Sequence, residues 1–125
     1  MKRRLLREAQ ALLITSLAEE TSSLVAMEAA ASGTPVVAFR KGALAEVVRD
    51  GVTGFLADDV SQAVSALRQV GSIRPALCVH HAQENFSGAK MAERYSQLYE
   101  RLSQSEKGSP ICGGDSLALS IAKYR

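Results

Sequence analysis

The run Glu20-Thr21-Ser22-Ser23-Leu24-Val25-Ala26-Met27-Glu28-Ala29-Ala30-Ala31-Ser32-Gly33-Thr34-Pro35-Val36-Val37-Ala38-Phe39 decides how this chain is read. Leu24 to Ala31 are mostly good helix formers. Thr21, Ser22 and Ser23 precede them, and each can cap a helix through its side-chain oxygen. Gly33 suits the left-handed position just past a helix C-terminus. Pro35 then opens an apolar run at a place where its missing N–H is tolerated. The order predicts loop, helix, turn and buried strand.

That order has a chemical use. A helix N-terminus carries unpaired backbone N–H groups and a partial positive charge, so the Thr21-Ser22-Ser23-Leu24 turn is suited to a phosphate or diphosphate. Glu28 lies somewhat more than one turn further in, where it can reach sugar hydroxyls on a nucleotide whose phosphates rest at the helix start. Glu20 flanks the same spot from the loop. Carboxylates repel phosphate, so hydroxyl donors are their better targets. Spacing alone leaves the bland alternative open, an ordinary surface helix with two solvated glutamates.

The motifs reach further than this one unit. Glu20 and Glu28 form an E-x7-E pair, followed by Glu28, Ala29, Ala31, Gly33, Pro35, Val36 and Val37 in the order Glu-Ala-x-Ala-x-Gly-x-Pro-Val-Val. Gly42-Ala43-Leu44-Ala45-Glu46-Val47-Val48 and Asp50-Gly51-Val52-Thr53-Gly54-Phe55-Leu56 come next. Together these blocks resemble the nucleotide-sugar-binding half of GT-B glycosyltransferases of the large retaining family 4, also called glycosyl transferases group 1. The resemblance runs from about Leu5 to Leu102.

It implies a partial Rossmann-like parallel sheet with flanking helices, an α/β fold, over residues 1–105, with 106–125 as a flexible tail. It also implies roles: Glu20 orienting the transferred sugar, Glu28 holding ribose hydroxyls, and the Thr21 to Leu24 turn, chiefly the backbone of Ser22, Ser23 and Leu24, receiving the diphosphate. The expected ligand is a nucleoside-diphosphate sugar. No metal or other cofactor is implied, because helix dipole and basic side chains stabilise the charge in this family. One departure stands out, since Ser22-Ser23 replaces the commoner Phe-Gly before leucine.

Length bounds the rest. The 125 residues, 46% hydrophobic, suffice for one domain with a real core. A GT-B enzyme needs two such domains, so a separate N-terminal acceptor domain is an expected partner and the chain by itself is expected to be inactive. The resemblance also places the remaining phosphate-binding Arg and Lys upstream of Met1. The rival reading is a non-catalytic nucleotide-binding or protein-interaction remnant.

A net charge of +2 is too mild to argue for nucleic acid, and Trp is absent. Cys78 and Cys112 sit in no metal-ligand spacing and read as reduced cytosolic thiols. Met1-Lys2-Arg3-Arg4 mimics the basic start of a signal peptide, but Arg7, Glu8 and Gln10 interrupt the apolar run that should follow. With no segment near the roughly 20 apolar residues of a membrane span, a cytoplasmic protein is expected. The basic start reads as solvated helix charge in preference to a contact with the inner membrane surface.

The remaining elements follow in order. A helix to Gln10 is expected to turn Leu5, Leu6 and Ala9 inward, and Ala11 to Thr15 to form a strand whose outer edge lacks a neighbour. Arg40-Lys41-Gly42 should form a loop at the carboxyl end of the second strand, where open α/β sheets place ligands and where the two cations can screen donor phosphate. Ala43 to Arg49 reads as a short helix and Gly54 to Ala57 as a third strand. Asp59 with Gln62 resembles a capping box, ahead of Val60, Ala63, Val64, Leu67 and Val70 at helical spacing. Pro75 begins another helix with Cys78, Ala82 and Phe86 on one face. A last helix after Ser87 carries Met91, Tyr95, Leu98, Tyr99 and Leu102 as a stripe. Ser116 to Lys123 reads as a short helix beyond a linker.

Overall fold

The computed structural model describes residues 1–105, so the readings on Cys112, the linker and Ser116 to Lys123 lie outside the described residues. The chain divides into two compact units, one of residues 1–87 and one starting at Gly88. Three short parallel strands organise the first: β1 (Leu12–Ile14), β2 (Val36–Phe39) and β3 (Gly54–Ala57). They lie in the order β1-β2-β3, with Leu12 opposite Val36 and Val36 opposite Gly54. Between them run α2 (Leu24–Ala31) and α3 (Leu44–Val47), preceded by α1 (Lys2–Glu8) and followed by α4 (Val60–Gln69) and α5 (Pro75–Phe86).

Strand geometry alternates side chains between faces, and both faces of β2 are covered, whereas Leu13 of the edge strand β1 is 47% exposed. Ile14, Val36, Ala38 and Leu56 turn to one core with Leu6, Ala26, Ala29, Leu44 and Val47. Val37 and Ala57 turn to the other with Ala63, Ala66 and Val70, joined by Phe39 and Phe55. The alanines of α2 are thereby explained. Ala26 and Ala29 are fully buried toward the sheet, while Ala30 packs with Ile73, Cys78 and Ala82 on the α5 side. Side chains this small let a helix approach both neighbours closely.

Most element bounds agree with the sequence reading. The second helix and third strand occupy the expected residues, Gly33 takes φ +82 after the Ser32 C-cap, and Pro75 stands at the first turn of α5. Asp59 caps α4 by accepting from Gln62 N–H at 2.8 Å, although Gln62 answers to Asp58 N–H and not to Asp59. Four residues are far too few for an isolated helix, so α3 owes its existence to tertiary packing, with Leu44 fully buried and Val47 nearly so.

Three expectations are corrected. In α1 only Leu6 is buried, while Leu5 is 62% exposed and Ala9 lies beyond the helix in extended backbone. In α4 the face against β2 and β3 carries Ala63 and Ala66, with Val70 buried beside them just past the helix end. Val60, Val64 and Leu67 remain exposed because a three-stranded sheet does not extend beneath them. Ser23, the N-cap of α2, makes no side-chain cap bond, because its backbone is left-handed rather than extended.

The second unit is described through α6 (Gly88–Ser105), whose Met91, Tyr95, Tyr99 and Leu102 are all exposed, with the two tyrosine rings 6.2 Å apart. Among the described residues no helix is long and apolar enough to cross a membrane.

Candidate functional site

The loop from Thr15 to Ser23 leaves β1 and delivers the chain to the N-terminus of α2. Two contacts hold it. The Glu20 carbonyl accepts from Ala43 N–H at 2.8 Å, which ties the loop to the start of α3. Gly42, at φ +49, lies against the Glu20 backbone so closely that a Cβ there would stand 2.7 Å from the Glu20 nitrogen. Glycine serves twice here, for the left-handed backbone and for the approach. The Glu20 side chain itself is partly buried and makes no hydrogen bond or ion pair among the described residues.

Ser23 is the strained point. It adopts φ 47 and ψ 58, the left-handed region, and is the one non-glycine residue with positive φ among those described. An N-cap that accepts through its side chain normally has extended backbone. Ser23 is left-handed, and its Oγ is buried without a partner. The helix therefore starts on main-chain contacts alone, the Ser23 carbonyl accepting from Ala26 and Met27 N–H. Among the described residues nothing accepts from Leu24 or Val25 N–H, so the orphan donors of the first turn remain available, with both side chains exposed. Thr21 and Ser22 are exposed on the approach to them.

Glu28 lies on the second turn of α2, and its carboxylate is not idle. Lys2 Nζ donates to Oε1 at 2.7 Å from α1. The pair borders a cleft of about 480 Å³ whose rim also carries Arg3, Arg7 and Ser32, over the apolar side chains of Leu6 and Val79. Lys2 is therefore not the merely solvated charge that the basic start suggests. Nothing local marks Lys2 as the partner of a residue 26 positions away.

A second cleft of about 540 Å³ opens where all three strands end, lined by Thr15, Phe39, Arg40, Lys41, Asp58 and Val60. This is the place open α/β sheets use for ligands. Arg40 is engaged there by Asp50 at 3.3 Å and Asp58 at 3.5 Å, whereas Lys41 has no ion pair among the described residues. Of the two cations read from sequence, Lys41 is the one free to meet an anion.

The other titratable groups singled out in the sequence have structural roles. Cys78 is fully buried, with its thiol 3.6 Å from the Thr53 carbonyl, and burial pushes its pKa up. His80 faces Glu84, while His81 meets the Val47 carbonyl at 3.1 Å and stands edge-on to Phe86. The adjacent histidines diverge, as their spacing requires.

Residues 1–72 match the family model described as Glycosyl transferases group 1. Two D-inositol 3-phosphate glycosyltransferases are similar over much of the chain. That of Corynebacterium diphtheriae is 44% identical over 88 residues, 64% of this chain and 20% of that protein. That of Corynebacterium kroppenstedtii is 39% identical over 105 residues, 77% of this chain and 23% of that protein. Among solved structures, AviGT4, a glycosyltransferase involved in Avilamycin A biosynthesis, superposes with a TM-score of 0.64 at 32% identity, over 82% of this chain and 34% of that one. The chain thus spans about a fifth of the length of the curated relatives it matches.

Proposed function

The chain belongs to the glycosyl transferases group 1 family, and on that premise we propose that it forms the donor-binding part of a retaining glycosyltransferase acting from a nucleoside-diphosphate sugar in the cytoplasm. The observation that carries this reading is the start of α2, where unpaired Leu24 and Val25 N–H groups stand between the Glu20 loop and Glu28. The backbone of Ser22, Ser23 and Leu24, with Thr21 beside it, receives the diphosphate. Helix dipole and N–H groups offset its charge, and Lys41 adds a cation at the strand ends. Glu28 accepts from the ribose hydroxyls, and Glu20 orients the sugar to be transferred. Transfer itself requires an acceptor held in the same water-poor cleft. We assign that task to a separate acceptor domain, and the 125 residues alone are inactive.

Calorimetric titration of the 125-residue chain with UDP, GDP and ADP tests the reading. One of the three is expected to bind, and Glu28→Gln should weaken it by about 1.5 to 3 kcal/mol, the worth of hydrogen bonds to a charged group. Glu20→Gln should leave the diphosphate affinity unchanged and reduce only the extra affinity of the matching sugar nucleotide. Absence of binding by all three would overturn the reading and favour an interaction module.

A further inference from the structure

Glu28 faces a conflict in the role proposed for it. A carboxylate suits ribose hydroxyls but repels the diphosphate seated about one turn away at the start of the same helix. The fold supplies a resolution in Lys2, whose ammonium lies 2.7 Å from Oε1 across the mouth of the cleft between α1 and α2. We propose that Lys2 is a positioning residue for nucleotide recognition, orienting the Glu28 carboxylate toward the ribose and cancelling its repulsion of the diphosphate. The inference rests on Glu28 being the ribose ligand.

The geometry permits both parts at once. Lys2 engages one carboxylate oxygen, which leaves Oε2 and the remaining lone pairs for hydroxyl donors. A glutamate side chain has three rotatable bonds and loses much freedom when fixed, so a partner that fixes it beforehand strengthens whatever it binds next. The pair contributes little to folding, since the two side chains are 67% and 43% exposed and exposed pairs are weak. Arg3 and Arg7 on the same rim keep the cleft cationic, but no ion pair joins either of them to Glu28.

The test compares each of UDP, GDP and ADP with its 2′-deoxy counterpart, titrated into the parent chain, Lys2→Met, Lys2→Arg, Glu28→Gln and the control Arg4→Met. Arg4 pairs with Glu8 on α1, away from Glu28. The parent is expected to prefer the ribonucleotide on the order of tenfold, matching one hydrogen bond to a charged group. Lys2→Met should cut that preference to about threefold and steepen the loss of affinity at low salt, where the uncancelled Glu28 charge is least screened. Lys2→Arg should restore the preference, Arg4→Met should leave it intact, and thermal midpoints should stay together. If Lys2→Met keeps the parental preference, or binds more tightly, while Glu28→Gln loses the preference, Lys2 has no such role and the ribose reading stands. If Glu28→Gln also keeps it, the ribose reading fails and takes this inference with it.

Discussion

Gly42 and Glu20 are packed backbone to backbone, with the Glu20 carbonyl accepting from the residue after the glycine. The loop that carries the proposed sugar-orienting carboxylate is therefore positioned by the turn after β2. Gly42→Ala places a Cβ within the Glu20 main chain and forces a side chain into left-handed backbone. Unfolding free energy should fall by about 2 kcal/mol or more. Gly71→Ala, where a Cβ meets nothing within 4 Å, should shift it by no more than about 0.5 kcal/mol. Urea unfolding of the two variants checks the contrast.

Ser23 offers the opposite prediction. Its left-handed backbone costs about 1–2 kcal/mol for a residue with a Cβ, and its buried Oγ has no partner. Ser23→Gly relieves both and gives back about 0.4–1 kcal/mol through a freer unfolded chain. A net gain of about 1 kcal/mol is expected, visible in calorimetry as a rise of several degrees in the thermal midpoint. An unchanged or lowered midpoint would mean that the serine is anchored in a way this geometry does not contain.

Asp50 separates a hydrogen bond from an ion pair. One carboxylate oxygen accepts from Leu56 N–H at 3.0 Å and the other meets Arg40 at 3.3 Å, with both side chains about half exposed. Exposed pairs contribute little, whereas the bond to the β3 backbone contributes about 1 kcal/mol. Asp50→Asn retains an acceptor for Leu56 and should cost less than about 0.5 kcal/mol. Asp50→Ala should cost about 1–2 kcal/mol in the same denaturation assay.

Cys78 predicts a pH dependence. Burial raises the pKa of its thiol above the usual 9.0, so the folded state holds a proton that the unfolded chain releases more readily. A raised folded pKa means stability that is intact below about pH 9 and declines as pH climbs beyond it. Between pH 8 and pH 10 the parent should lose more stability than Cys78→Ala. Peptide mapping after iodoacetamide treatment of the folded chain at pH 8 should find Cys78 unmodified, and modified once urea is added.

Local signals carried most of the fold. The alanines of α2, the glycine after it, the Asp59 to Gln62 cap and the continuous apolar run of the Val36 to Phe39 strand act over a few residues, where the physics of caps, turns and short buried strands is self-contained. The spacing of the E-x7-E pair likewise puts Glu28 inside the helix and Glu20 in the loop before it, as the structure has them. What the sequence could not contain were relations set by packing between distant segments. Lys2 meets Glu28 across 26 positions, Gly42 meets Glu20 because the β2 turn returns to the β1 loop, and Arg40 is claimed by two aspartates. The same limit explains the misread faces. A helix shows its own apolar residues, but how far the sheet reaches decides which of them are covered, so α4 buries its alanines and leaves Val60, Val64 and Leu67 exposed. Ser23 is the sharpest case. Its residue type favours side-chain capping, and the left-handed backbone imposed where the β1 loop enters α2 overrides that preference.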